Sequence, residues 1–208
     1  MISLFLDTSS SYLSSAIYKD GKLLKSVFEY LEKDMSKYAL LRVKEMMDSL
    51  LLKPNDIDNI VVVNGPGSYT GLRVGVTIAK TYAWGLNKKL FSVSSLLTMA
   101  TSQKDKDYIV PIIDARRDFF FAGVYDKNYN TIMEDTYISR KDLEDFLSKL
   151  EGTYSFVSTT NIKDLETIKY IPDYENLFRN LKLNEEQPHL LVPNYLKKTE
   201  AEESLNND

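Results

Sequence analysis

The 208-residue chain has no cysteine and one histidine, and these two shortages remove much of the familiar chemistry of active sites. Without cysteine there is no disulfide, no thiolate nucleophile and no sulfur ligand for zinc, a composition that suits a cytoplasmic setting. A single imidazole does not build an N/S metal site, so no metal is expected. His189 follows Pro188 in a segment without apolar period and reads as a loop residue with no chemical role. No apolar run reaches the length of a membrane span, and residues 1–10 lack the basic start and cleavage site of a signal peptide. A cytoplasmic location without membrane contact is therefore the expectation. Positive charge is also short: 26 Lys and Arg against 30 Asp and Glu leave a net charge of −4. That balance argues against a surface that neutralises many phosphates, so tight binding to nucleic acid by this chain alone is not expected.

What is present begins with a hydrophobic content of 43%, enough for a core in one domain or two small ones. The most informative stretch is 60–75, IVVVNGPGSYTGLRVG. An aliphatic run breaks at Asn64-Gly65-Pro66-Gly67 and restarts after Ser68 with helical spacing, which predicts a buried strand, a tight turn and a helix N-terminus. Such a junction gathers free N–H groups and the positive end of a helix dipole, a place where an anion can sit. The glycines at 65, 67 and 71 read G-x-G-x-x-x-G, one residue longer than the dinucleotide fingerprint, and no Gly-Lys-Ser/Thr follows to make a P-loop. In the helix, Gly71, Gly75, Ala79 and Ala83 recur at every fourth position. Small residues at that spacing clear one face for a close neighbour, expected to be another helix, within this chain or on another protein.

Along the chain the pattern predicts strands at 2–6, 12–18 and 23–28, the last two joined by the turn Lys19-Asp20-Gly21-Lys22. A helix over 35–52 follows, capped by Asp34 or Ser36, with Met35, Ala39, Val43, Met46, Met47 and Leu50 at spacings of three and four. Leu40 and Leu41 widen that stripe, giving the helix apolar residues for two faces. A strand at 90–93 and a helix at 95–102 lead to the polar run 103–107, the expected domain boundary. The pattern then restarts, with strands at 108–113, 119–125 and 131–137 and a helix at 140–150. Asp7 and Tyr18 are eleven residues apart (18 − 7), as are Asp114 and Tyr125 (125 − 114), and the two units are offset by 107 (114 − 7). This is the signature of a duplicated strand-Asp-turn-strand unit. In a duplicated fold Asp7 and Asp114 face one cleft, where they hold Mg²⁺ on a nucleotide, or each accepts backbone N–H groups in its own turn. Ser9, Ser10 and Ser11 supply hydroxyls there but no glycine for close backbone approach.

Four segments, LFLDTSSS at 4–11, GPGSYTGLRVG at 65–75, PIIDARRDFFFAGVY at 111–125 and PNYLKK at 193–198, together resemble the TsaB family, bacterial accessory subunits for making threonylcarbamoyladenosine in tRNA. The resemblance implies an α/β chain of two similar lobes of the actin-like, sugar-kinase, Hsp70 (ASKHA) fold, with a shortened second lobe. It divides the chain into a first lobe over 1–103, a smaller second lobe over 104–198 and a polar tail over 199–208. It also implies no catalytic residues of the chain's own. The catalytic relative, TsaD, holds its metal through two histidines four apart on the first long helix. Here that region reads Asp34-Met35-Ser36-Lys37-Tyr38-Ala39. Family members pair through the first lobe, which assigns a partner interface to Met35, Ala39, Val43, Met46, Met47, Leu50, Gly71, Leu72, Gly75, Ala79 and Ala83. The implied partners are a TsaD-like catalytic subunit, a TsaE-like ATPase joining through the complex, and a second copy of the chain when the partner is missing. Contact with tRNA is only indirect. No cofactor is expected. The alternative is an ASKHA phosphotransferase or ATPase holding Mg-ATP or ADP through Asp7, Ser9, Gly65, Gly67, Ser68 and Asp114. The closing motif has Lys197 where the family commonly has arginine, which supplies charge without a bidentate fork.

Overall fold

The computed structural model describes residues 1–197; the expected polar tail over 199–208, and Lys198 of the closing motif, lie outside the described residues. Strand β1 (Ile2–Asp7) is buried along almost its whole length, as a near-continuous apolar run requires of a central strand. It pairs antiparallel with β2 (Tyr12–Lys19), which pairs antiparallel with β3 (Lys22–Tyr30) across a tight turn at Asp20 and Gly21. Both turn residues have positive φ, 49° and 79°, as the primed hairpin turn demands. On its other side β1 pairs parallel with β4 (Asn59–Gly65), and β4 pairs parallel with β5 (Lys89–Ser94).

The period of two along β1 decides which residues face which layer. Leu4 and Leu6 pack with helix α1 (Met35–Ser49) and helix α2 (Tyr69–Gly85), through Ala39, Val43, Val76 and Ala79. Phe5 points the other way, into a second core with Val61, Val93 and helix α3 (Ser95–Ala100). Helix α1 ends at Ser49 rather than at 52. Leu51 sits in the left-handed region at φ 57°, and the amide of Leu52 turns back to Met47 O, which closes the helix. At its other end Asp34 occupies the N-cap position without a side-chain hydrogen bond, behind a 3₁₀ turn at Glu32–Asp34.

The second sheet repeats the first. Strands β6 (Tyr108–Asp114), β7 (Phe119–Asp126), β8 (Thr131–Ser139), β9 (Tyr154–Ser158) and β10 (Thr167–Lys169) run in the order β10-β9-β6-β7-β8. The first sheet runs β5-β4-β1-β2-β3, and in both sheets the first strand pairs antiparallel with the second and parallel with the fourth. The duplication expected from the Asp7 and Asp114 spacing is thus present in the topology, and the two-lobed ASKHA arrangement follows from it. Helix α4 (Arg140–Leu147) covers the outer face of the second sheet through Leu143 and Leu147. The chain then returns to the first lobe. Helix α5 (Tyr174–Asn180) packs Leu177 into the core around Phe5, and β11 (Asn184–Glu186) adds an edge strand beside β5.

Candidate functional site

Both halves end their first strand in the same turn. The Asp7 carboxylate Oδ1 accepts the Ser9 N–H at 2.8 Å, and the Asp114 Oδ1 accepts the Arg116 N–H at 2.8 Å. The two turns face each other across a cleft of about 470 Å³ that Ser9, Gly67, Ser68 and Arg116 also line. Five of the six residues considered for a nucleotide are therefore brought together. Gly65 is the exception: a Cβ there would overlap the Asn194 carbonyl, so it packs against the closing segment.

The chain itself takes up part of the donor set of the glycine turn. The Ser68 N–H donates to Ser9 O at 2.7 Å, the Gly71 N–H to Ser68 Oγ at 3.3 Å, and the Leu72 N–H to Ser68 O at 2.8 Å. Gly67 is glycine because a Cβ would run into the Ser9 carbonyl. These contacts bring the glycine turn directly onto the first Asp turn, leaving less room for a phosphate between them.

Burial raises the pKa of Asp7, against the lowering effect of its Ser9 hydrogen bonds. Next to it, the Tyr170 hydroxyl is buried with no hydrogen-bond partner. Its pKa stands well above the usual phenol value, through burial first and the Asp7 charge second. Replacing Tyr170 with phenylalanine removes an unpaired hydroxyl, so the urea midpoint should hold or rise, by up to about 1 kcal/mol. A loss of more than that would reveal a partner for the hydroxyl.

A half-buried carboxyl ties the lobes together. Asp135 on β8 accepts hydrogen bonds from Tyr125 on β7 and from Ser94, the residue that caps α3 through the amides of Leu96 and Leu97. Gly123 leaves the room, since a Cβ there would press on the same carboxylate. Burial raises the Asp135 pKa against the pull of these two hydroxyls. A raised folded value means that its contribution to stability is full below the unfolded value and is lost as pH rises through the folded one. The urea midpoint of the native chain should accordingly fall relative to Asp135→Asn as pH rises from about 4 toward neutrality. Parallel curves over that range would show that Asp135 titrates alike in both states.

The helix residues assigned to a partner interface lie elsewhere than expected. Met35, Ala39, Val43, Met46, Met47, Gly71, Leu72, Gly75, Ala79 and Ala83 are buried within this chain, and Leu50 is half-buried. The small face of α2 has no helix against it at its start. A Cβ at Gly71 would overlap the Thr8 carbonyl and one at Gly75 the Thr8 hydroxyl, which itself donates to Gly71 O at 2.7 Å. The turn after β1 is the close neighbour, and α1 meets α2 further along, where the Tyr82 hydroxyl lies 3.9 Å from the Met47 sulfur. What the two helices turn outward is a groove of about 470 Å³ lined by Ser36, Leu40, Thr70, Val74, Thr77 and Ile78. Leu40 is 54% exposed and Leu41 42%. Their position off the core stripe is the signal from which this surface was legible.

The closing segment spans both lobes. Tyr195 stacks on Tyr69 with centroids 5.0 Å apart and accepts from Arg73 Nε at 3.3 Å, while Lys197 Nζ lies 4.9 Å over the Tyr137 ring of β8. A cation–π contact needs no fork, so lysine serves there. His189 places its ring edge-on to Trp84 and its carbonyl beside Lys80. Among the described residues no group of three or more His, Cys, Asp or Glu is placed to hold a metal ion, and no helix is long and apolar enough to cross a membrane.

A family model described as tRNA N6-adenosine threonylcarbamoyltransferase, TsaD, matches residues 29–154. A Bacillus subtilis protein named tRNA threonylcarbamoyladenosine biosynthesis protein TsaB is 31% identical, over 97% of this chain and 96% of its own. An Escherichia coli protein of the same name is 26% identical over 75% of this chain and 70% of its own. Among solved structures, YeaZ from Pseudomonas aeruginosa superposes with a TM-score of 0.73 at 19% identity, covering 94% of this chain and 99% of that one. A second Pseudomonas aeruginosa structure, described as similar to the peptidase YeaZ, gives 0.75 at 19% identity with the same coverage.

Proposed function

The chain belongs to the TsaB family, and from that membership we infer how it serves as a subunit of tRNA threonylcarbamoyladenosine biosynthesis alongside a TsaD-like enzyme: it binds that enzyme and activates it without chemistry of its own. The observation that carries this reading is the outward groove on α1 and α2. Both helices have filled their core-facing sides from within the chain, yet Leu40, Val74 and Ile78 remain around an uncovered apolar channel. An apolar channel on paired helices suits the corresponding helices of a related lobe, packed ridge into groove. In the absence of that enzyme a second copy of the chain occupies the same channel, since the two lobes are built alike. A TsaE-like ATPase joins through the assembled pair, and tRNA is reached only through the catalytic subunit. The chain carries no cofactor.

Co-expression with a TsaD-like subunit tests the association. A stable heterodimer on gel filtration is expected, and two separate peaks at micromolar concentration would contradict it. The alternative, a phosphotransferase, draws on the fact that Asp7 and Asp114 line one cleft. Each carboxylate is engaged in its own turn, and the cleft opposes two of them to one guanidinium, a poor setting for a triphosphate. Titration with Mg-ATP should give no heat.

A further inference from the structure

The interlobe cleft holds a charge pattern that the scaffold reading does not use. Asp7 is 5% exposed, and among the described residues no cation pairs with it. Beside it the Tyr170 hydroxyl, on a residue 3% exposed, makes no hydrogen bond of good geometry, although the Ser14 hydroxyl lies near enough to pull its raised pKa back in part. A buried carboxyl without counter-charge and a phenol without partner are both costly, and both costs fall when a ligand brings positive charge and hydrogen-bonding atoms. Across the same cleft Arg116 carries a guanidinium that, among the described residues, also lacks a carboxylate partner. Arg116, Arg117 and Asp118 are all held at positive φ, 67°, 53° and 57°, and the Arg116 side chain is exposed at the mouth of the cleft. A guanidinium fork matches a carboxylate.

We propose that the cleft binds a small zwitterion of the α-amino-acid class, its ammonium on Asp7 with Tyr170 as an added hydrogen-bond partner and its carboxylate on Arg116. A nucleoside triphosphate fails the same test of charge, bringing anions to a site whose unmet group is a carboxyl. This inference is independent of the partner reading, since the cleft and the helix groove share no lining residue.

Calorimetric titration of the full chain tests it, with alanine and threonine as probes, ethylamine and propionate as half-ligands, and Mg-ATP and KCl as competing classes. One site per chain is expected for the two amino acids, with Kd on the order of 1 mM, and neither half-ligand should match them. Asp7→Asn keeps the oxygen that accepts the Ser9 N–H and should fold, yet should weaken amino-acid binding roughly tenfold or more. Arg116→Gln should erase the advantage of alanine over ethylamine. Tyr170→Phe should fold and bind about threefold more weakly. Absence of heat from either amino acid at about 50 mM, binding indifferent to Asp7→Asn, or Asp7-dependent uptake of Mg-ATP or potassium in their place would each overturn the proposal.

Discussion

Replacing Gly71 with alanine should cost the first lobe about 3 kcal/mol or more, the upper range for forcing atoms into a packed interior. The added Cβ would overlap the Thr8 carbonyl, a backbone atom that moves only if the end of β1 moves with it. The Thr8 hydroxyl donates to Gly71 O in a buried position, so any shift also strains a hydrogen bond whose loss costs roughly 1–3 kcal/mol. Gly85, at the end of the same helix, has nothing within 4 Å of its Cβ position and serves as the control. Alanine there should be neutral or stabilising by up to about 1 kcal/mol. Urea unfolding measures both, with the midpoint of Gly71→Ala falling at unchanged slope. Equal midpoints for the two variants would mean that the small face of α2 has room the structure denies it.

Leu40→Asp should have the opposite profile, an intact fold and a lost partner. Leu40 is 54% exposed and lies at the outward groove, so its own stability should change by no more than about 0.5 kcal/mol. Burying an aspartate in an apolar contact should cost association about 2–4 kcal/mol, roughly 30-fold to a thousandfold in Kd. Thr77→Arg, on the facing side of the groove, should do likewise. The pair of profiles separates two readings of the same helices, since a Gly71 variant loses the partner only by losing the fold. Normal affinity in both groove variants would place the interface elsewhere.

The contrast between those two predictions also marks what the sequence made legible. Strand positions, the hairpin at Asp20-Gly21 and the duplicated Asp turns were readable because each rests on local chemistry: apolar runs, turn residues and Asx geometry. The recurrence of Gly71, Gly75, Ala79 and Ala83 correctly announced a close approach, but a one-dimensional pattern carries no information on what approaches. The neighbour is the turn after β1, 63 residues away in the chain. At the glycine turn Ser9 takes up the Ser68 N–H through a contact that only the folded chain creates, and the Ser68 hydroxyl takes up that of Gly71. Tyr170 and the Asp135 cluster leave no local signal in the sequence. Each lies on a strand or loop of the second lobe and gains its meaning from a residue of the first, Asp7 in one case and Ser94 in the other. The closing segment's return to the first lobe through α5 and β11 was hidden by short elements with little periodicity.

The account stands or falls on whether this chain activates its partner without acting itself, and one assay addresses that most directly. Threonylcarbamoyl transfer to tRNA is measured with a TsaD-like enzyme and its ATPase, with this chain present, omitted, or replaced by Leu40→Asp. Transfer should require the native chain, fail when it is omitted, fall with Leu40→Asp in proportion to lost association, and survive Asp7→Asn. Transfer that proceeds equally without the chain, or that is abolished by Asp7→Asn while the complex stays assembled, would contradict the account and return the chemistry to the interlobe cleft.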